Sequence, residues 1–182
     1  MSRPPEHLAI AFANTLSSRT RDRIASPDGF ASWASGWPTL SRLAVGLPES
    51  TLAAIRTQRD ATQQVLHRLA AHQSAAREPL ELLTRPGLSA APFRLVVDGA
   101  TIRVDGEPEA ALRHLLGRAM VDLLLGPLAG RLRQCAGTGC RKVFLAQRAD
   151  RRWCDSQICG NRARVAAHAH RRGAATDRRA EP

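Results

Sequence analysis

Tyrosine is absent from this 182-residue chain, aromatic residues make up 4% of it, and lysine occurs once, at Lys142. So few rings exclude a core built on aromatic stacking, and they exclude the interleaved aromatic platform with which proteins read single-stranded nucleic acid. Long apolar runs are also missing. The stretch from Leu8 to Ala13 is cut by Asn14 and Thr15, and the later apolar stretch is broken by Arg118 and Asp122. Neither resembles the core of a secretion signal or a membrane span. No Gly-x-Ser-x-Gly elbow, phosphate loop or dinucleotide fingerprint occurs, and His7, His67, His72 and His114 fall in no spacing that unites two at one site. The expectation is a cytoplasmic protein without catalytic activity and without a membrane partner.

What is present is unevenly placed. The formal net charge is +11, but residues 1–130 carry 14 Arg against 12 acidic residues, while residues 131–182 carry 13 basic against 4 acidic residues. All four cysteines, Cys135, Cys140, Cys154 and Cys159, lie in that last third. Composition therefore divides the chain into a near-neutral body over 5–130, a cationic cysteine module over 131–172 and a tail over 173–182 without apolar content, expected to be disordered.

Along the body, Leu8, Phe12 and Thr15 or Leu16 recur at helical spacing and predict a helix from about Glu6 to Ser18. Ser26-Pro27-Asp28 starts a second helix carrying Phe30, Trp33 and Trp37, which Pro38 should stop. Leu52, Ile55, Arg59, Thr62, Leu66 and Leu69 form one stripe of a long helix that begins after Pro48. Between Pro79 and Pro92 the proline and glycine density predicts short pieces and turns. Phe93 to Val97, Asp98-Gly99 and Thr101 to Val104 predict a hairpin, and Pro108 opens a helix that ends at Gly126-Pro127. The fold class is α+β: a mainly helical domain with one hairpin, followed by a small treble-clef-like module.

Each cysteine pair encloses four residues, and thirteen residues separate the pairs. Two close pairs across a short return loop suit a tetrahedral Zn(II), one per chain, held structurally because four protein ligands leave no position for water. Two disulfides or an iron–sulfur cluster are the alternatives; a reducing compartment argues against the first, and the lack of a supporting cluster pattern argues against the second. Val143-Phe144-Leu145 and Arg151-Arg152-Trp153 read as two strands over the metal, with a helix from Gly160. The basic surround, with Arg141, Lys142 and Arg148 among it, should lower the thiol pKa values.

Arg152-Trp153-Cys154, then Cys159-Gly160-Asn161-Arg162, then a basic helix with His170, Arg171 and Arg172, resemble the CGNR zinc-finger family. The opening Leu8-Ala9-Ile10-Ala11-Phe12-Ala13-Asn14-Thr15, followed by Arg19, is similar to the ABATE domain, the usual N-terminal partner of that finger and described as a stress-induced transcription regulator. Ala11 departs from the pattern, which commonly has Asp there. The resemblance implies a zinc-binding, DNA-binding regulator.

The residues themselves place Arg151, Arg152, Arg162, Arg164, Arg171 and Arg172 as candidate phosphate contacts, with duplex DNA the expected partner and a homodimer the remedy for so small a finger. Asn161 should cap the helix or bond a thiolate. Asn14, Arg19, Trp33 and Trp37 are candidate lining for a pocket that takes a small-molecule effector. The alternative function is a zinc-stabilised protein-interaction module that binds no nucleic acid.

Overall fold

A computed structural model describes residues 7–18, 20–98 and 101–180. Among the described residues the chain is mainly helical, with three separate two-stranded antiparallel sheets. Helix α1 spans Leu8–Ala13 and leads into the hairpin of β1 (Leu16–Ser18) and β2 (Arg21–Asp22). Helices α2 (Pro27–Ala34), α3 (Pro38–Ser41), α4 (Glu49–Ala70) and α5 (Arg77–Leu88) follow. Strands β3 (Phe93–Asp98) and β4 (Thr101–Gly106) form the second sheet, and α6 covers Pro108–Leu125. Strands β5 (Leu132–Gln134) and β6 (Val143–Leu145) make the third, and α7 runs Asn161–Ala180.

The long periodic helices and the β3–β4 hairpin match the sequence reading; four segments outside the cysteine module differ. Helix α1 is six residues, not thirteen. Thr15 turns its hydroxyl back to the carbonyl of Phe12, and Asn14 bonds to a residue 129 positions away, so the backbone leaves the helix there. His7 caps the other end by accepting the amide of Ala9 at Nδ1, 3.3 Å away. Burial lowers the His7 pKa against the opposing pull of Asp122, which favours the neutral ring that acceptance requires.

The proline-rich segment from Pro79 is a helix, α5. Pro79 sits in its first turn, where no intrahelical amide is needed, and Pro86 sits in its last. Gly87 makes the close crossing with α6 feasible: a Cβ on Gly87 would lie 2.3 Å from the Gly117 carbonyl carbon, and one on Gly117 would lie 2.6 Å from the carbonyl oxygen of Leu83. Pro38 likewise starts a helical turn instead of ending one, with Trp37 as its N-cap. Beyond Gly173, where composition alone suggests a disordered tail, α7 continues to Ala180, in keeping with the high helix propensity of its alanines and arginines.

Two apolar clusters meet along α1, α4 and α6. The first gathers Phe12, Ile24, Phe30, Trp33, Leu52, Ile55 and Leu112. The second gathers Ile10, Ala13, Val65, Leu66, Leu83 and Met120, and it also takes in Leu132 and Val143 from β5 and β6. The last sheet thus shares its core with the helical body.

Arg59, which occupies the apolar stripe of α4, is 3% exposed. Its guanidinium donates to both carboxylate oxygens of Asp22, at 2.8 and 3.0 Å, and to Asp60 at 2.6 Å. Partial burial pushes the Asp22 carboxyl up, but hydrogen bonds from Arg59 and the Ile24 amide overcome this and hold it below its ordinary 3.8. The stability this supplies is present above the ordinary value and is lost as pH falls through the lower folded one. Asp22→Asn should cost about 2–3 kcal/mol at neutral pH, because it leaves a buried guanidinium short of its counter-charge. Denaturant titrations of parent and variant should converge in strong acid; a gap that persists there would contradict the ion-pair account.

Candidate metal centre

The first cysteine pair lies in the loop between β5 and β6. Cys135 follows β5 directly, its amide donating to the carbonyl of Lys142, and the chain turns back at Gly139, where φ is +72°. A Cβ on Gly137 would approach Cys159 Sγ to 3.3 Å, so glycine there lets the second pair close on the first. Of that second pair, Cys159 lies in a π-type turn, Ser156–Gly160, and Cys154 just precedes it; the turn is capped by Asp155, whose carboxylate accepts the amides of Gln157 and Ile158 at 2.8 and 2.9 Å. Asp155 therefore takes the capping role expected of Asn161, which is exposed and whose side chain makes no hydrogen bond among the described residues.

Arg151-Arg152-Trp153 is not a strand. The partner of β6 is β5, and the 151–153 segment is tied to the knuckle by one backbone bond, from the Ala136 amide to the Arg152 carbonyl at 2.9 Å. The sheet forms ahead of the first cysteine because Leu132 and Val143 both have the body's core to enter.

The four sulfur atoms lie within 4.8 Å of one another. Cys140 and Cys154 are 3.9 Å apart, and Cys154 and Cys159 are 3.8 Å apart, far beyond a disulfide bond. Four thiolates about 2.3 Å from a tetrahedral Zn(II) would be separated by about 3.8 Å, so the donor set fits zinc in number, type and span. Cys135, Cys154 and Cys159 are buried, and Cys135 accepts amide hydrogens from Cys154 at 3.4 Å and Gly137 at 3.5 Å.

The basic surround does not lower every thiol pKa. Burial, followed by interaction with the neighbouring thiols, raises Cys154 strongly and pushes Cys159 up to about 11. Cys135 is lowered, because its two amide donors and the hydrogen bonds from neighbouring thiols outweigh its own desolvation. Burial is the largest cause at both raised thiols, so the metal itself must displace the protons. With four cysteines as ligands, the ion is structural and holds two chain segments together.

The knuckle is bonded to the body. Asn14 donates to the Val143 carbonyl at 2.9 Å and accepts the Val143 amide at 3.0 Å, which completes both free edges of one β6 residue. Gln63, 1% exposed, donates to the carbonyls of Ala13 and Leu16 and accepts Arg141 Nε at 2.9 Å. His67 Nε2 lies 2.7 Å from the Arg141 carbonyl, and the Arg141 amide donates to Ser17. Sequence reasoning marked Asn14 as an unusual polar residue on an apolar helix. The roles of Gln63 and Arg141 carried no local signal.

The candidate phosphate contacts occupy different environments. Arg151 is half-buried: it donates to the carbonyls of Trp153 and Cys154 and lies over the Phe144 ring, 4.7 Å from its centre. Arg152 is exposed beside Trp153, and Arg164 reaches the Ser156 carbonyl at 3.4 Å. Arg162 and Arg171 are exposed; the Arg172 side chain lies outside the described residues.

Of the candidate pocket residues, Trp33 is packed among Phe12 and Phe30 but also borders a cleft that Asn14 lines. Trp37 packs half-buried against the first cluster and does not reach that cleft. Arg19 lies outside the described residues. No described helix is long and apolar enough to cross a membrane.

Compared with known families, residues 131–172 match the one described as CGNR zinc finger, and residues 6–127 match ABATE, described as "putative stress-induced transcription regulator". No curated protein matches the chain.

Elemental analysis should find one zinc per chain, and Cys154→Ser should lose it. Asn14→Ala should keep the metal but cost about 1–3 kcal/mol of stability, since it strands both backbone groups of Val143. A variant with unchanged thermal unfolding would show that the Asn14 bridge carries no stability.

Proposed function

Since the chain belongs to the ABATE family and carries a CGNR zinc finger, we propose that it is a noncatalytic transcription regulator that binds duplex DNA through helix α7. The observation that carries this reading is the exposure of α7. From Asn161 to Ala169 every residue except the half-buried Ala163 is exposed, and the helix packs chiefly on the π-type turn that holds Cys159. Arg164, His168 and Arg171 recur at i, i+4 and i+7 and so share one face. A cationic helix fixed at its root by a zinc site and clear of its own body can enter a major groove or follow a phosphate backbone. One finger of this size covers little duplex, so the proposal takes a homodimer as the binding species.

A second reading has its own observation. Ile158 and Val165 are each 61% exposed and lie seven residues apart on the finger, an apolar pair suited to a protein partner. Salt dependence separates the two. Neutralising about four to six phosphates gives a slope of log K against log salt on the order of −4 to −5 on duplex DNA. Arg164→Gln with Arg171→Gln should flatten that slope by about two while zinc content stays unchanged. A protein-interaction module would bind duplex DNA negligibly near physiological salt, and a flat salt response in the parent chain would end the DNA reading.

A further inference from the structure

The cleft bordered by Trp33 and Asn14 has a volume of about 390 Å³ and lies between the β1–β2 hairpin and the cysteine knuckle. Its charge comes first from the hairpin: Asp22 pairs with the buried Arg59, while Arg21, beside it in β2, and Arg23, just after the strand, line the cleft. Lys142, two residues after Cys140, and Arg162, from the first turn of α7, complete the set from the finger side. None of these four cations has a side-chain hydrogen bond or ion pair among the described residues. The one carboxylate in the lining, Asp155, is engaged in capping the π-type turn. The four cations also exceed the combined charge of Asp155 and a zinc tetrathiolate by one.

The rest of the lining is of another kind. Edges of the mostly buried Trp33 and Phe144, with the exposed Ile158 beside them, supply apolar surface next to the charged rim. Unpaired cations beside apolar surface in a concave site match a ligand that carries both features. We propose that this cleft binds a small organic anion: a carboxylate or phosphate group held by Arg21, Arg23, Lys142 and Arg162, with an apolar body lying against Trp33 and Phe144. The body contributes two of the cations and the finger the other two, so the ligand bridges them. The proposal stands on the cleft alone and does not rest on the DNA-binding reading.

The probe is the aromatic sulfonate 8-anilino-1-naphthalenesulfonate, titrated by fluorescence into the zinc-loaded full chain at constant ionic strength. One saturable site per chain is expected, weakened roughly a hundredfold in Arg21→Gln with Arg23→Gln, since each of the two lost charge-assisted contacts is worth about a factor of ten. Zinc content and circular dichroism of that variant should match the parent. Benzoate or phenyl phosphate should displace the probe, and whichever does so more strongly names the head group. Arg131→Gln, which changes the neighbouring cavity next to His7 and not this cleft, should leave binding intact. The proposal is overturned by absence of a saturable site, by undiminished binding in the Arg21 and Arg23 variant, by loss of binding in Arg131→Gln, or by failure of both competitors.

Discussion

The two-way hydrogen bond between Asn14 and Val143 joins the ends of the fold. It satisfies a β6 residue that no further strand covers, and it halts α1 at the point where the β1–β2 hairpin must begin. Gln63 and His67 extend the same seam to Arg141, the residue after Cys140. A metal that fixes Cys140 therefore fixes Arg141 and Val143, and through them α1 and the middle of α4. The apolar contacts point the same way, since Leu132 and Val143 are buried with Ile10 and Met120. Zinc binding and body packing are in this sense one cooperative event.

Charge is arranged around that seam with separate purposes. Arg59 is buried and neutralised by Asp22 and Asp60, which braces the hairpin onto α4. Arg151 is turned inward onto carbonyls and the Phe144 ring, so it supports the cysteine loop from beneath. Among the described side chains of α7, Arg162, Arg164 and Arg171 have no comparable structural task, with the Arg164 contact to Ser156 long and exposed. A positive tally over residues 131–182 hides these differences, because the same residue type is a clamp in one place and a free charge in another.

The parts of the fold legible in the sequence are those set by local pattern. Helices α4 and α6 follow from one apolar stripe each, the β3–β4 hairpin follows from β-branched runs on either side of a turn, and the metal ligands follow from two cysteine pairs in a short span. Long-range choices stayed hidden. Arg59 sits where the stripe wants a leucine, and its main explanation, the bidentate pair with Asp22, lies 37 residues away. The pairing of β6 with β5 instead of 151–153 depends on a body core ready to receive Leu132 and Val143. Helix α5 was concealed by Pro79, whose place in the first turn needs no intrahelical amide, by Pro86, whose missing N–H costs only a bond in the last turn, and by Gly87, whose reason is Gly117.

The interlocking of zinc and body is tested most directly by amide hydrogen exchange on the full chain with the metal bound and after its removal by a chelator. The account predicts that metal loss speeds exchange at Ala13 to Ser18 and in α4 around Gln63, as well as in the cysteine loops. Acceleration confined to residues 132–160, with α1 and α4 unchanged, would contradict it and make the finger an independent bead.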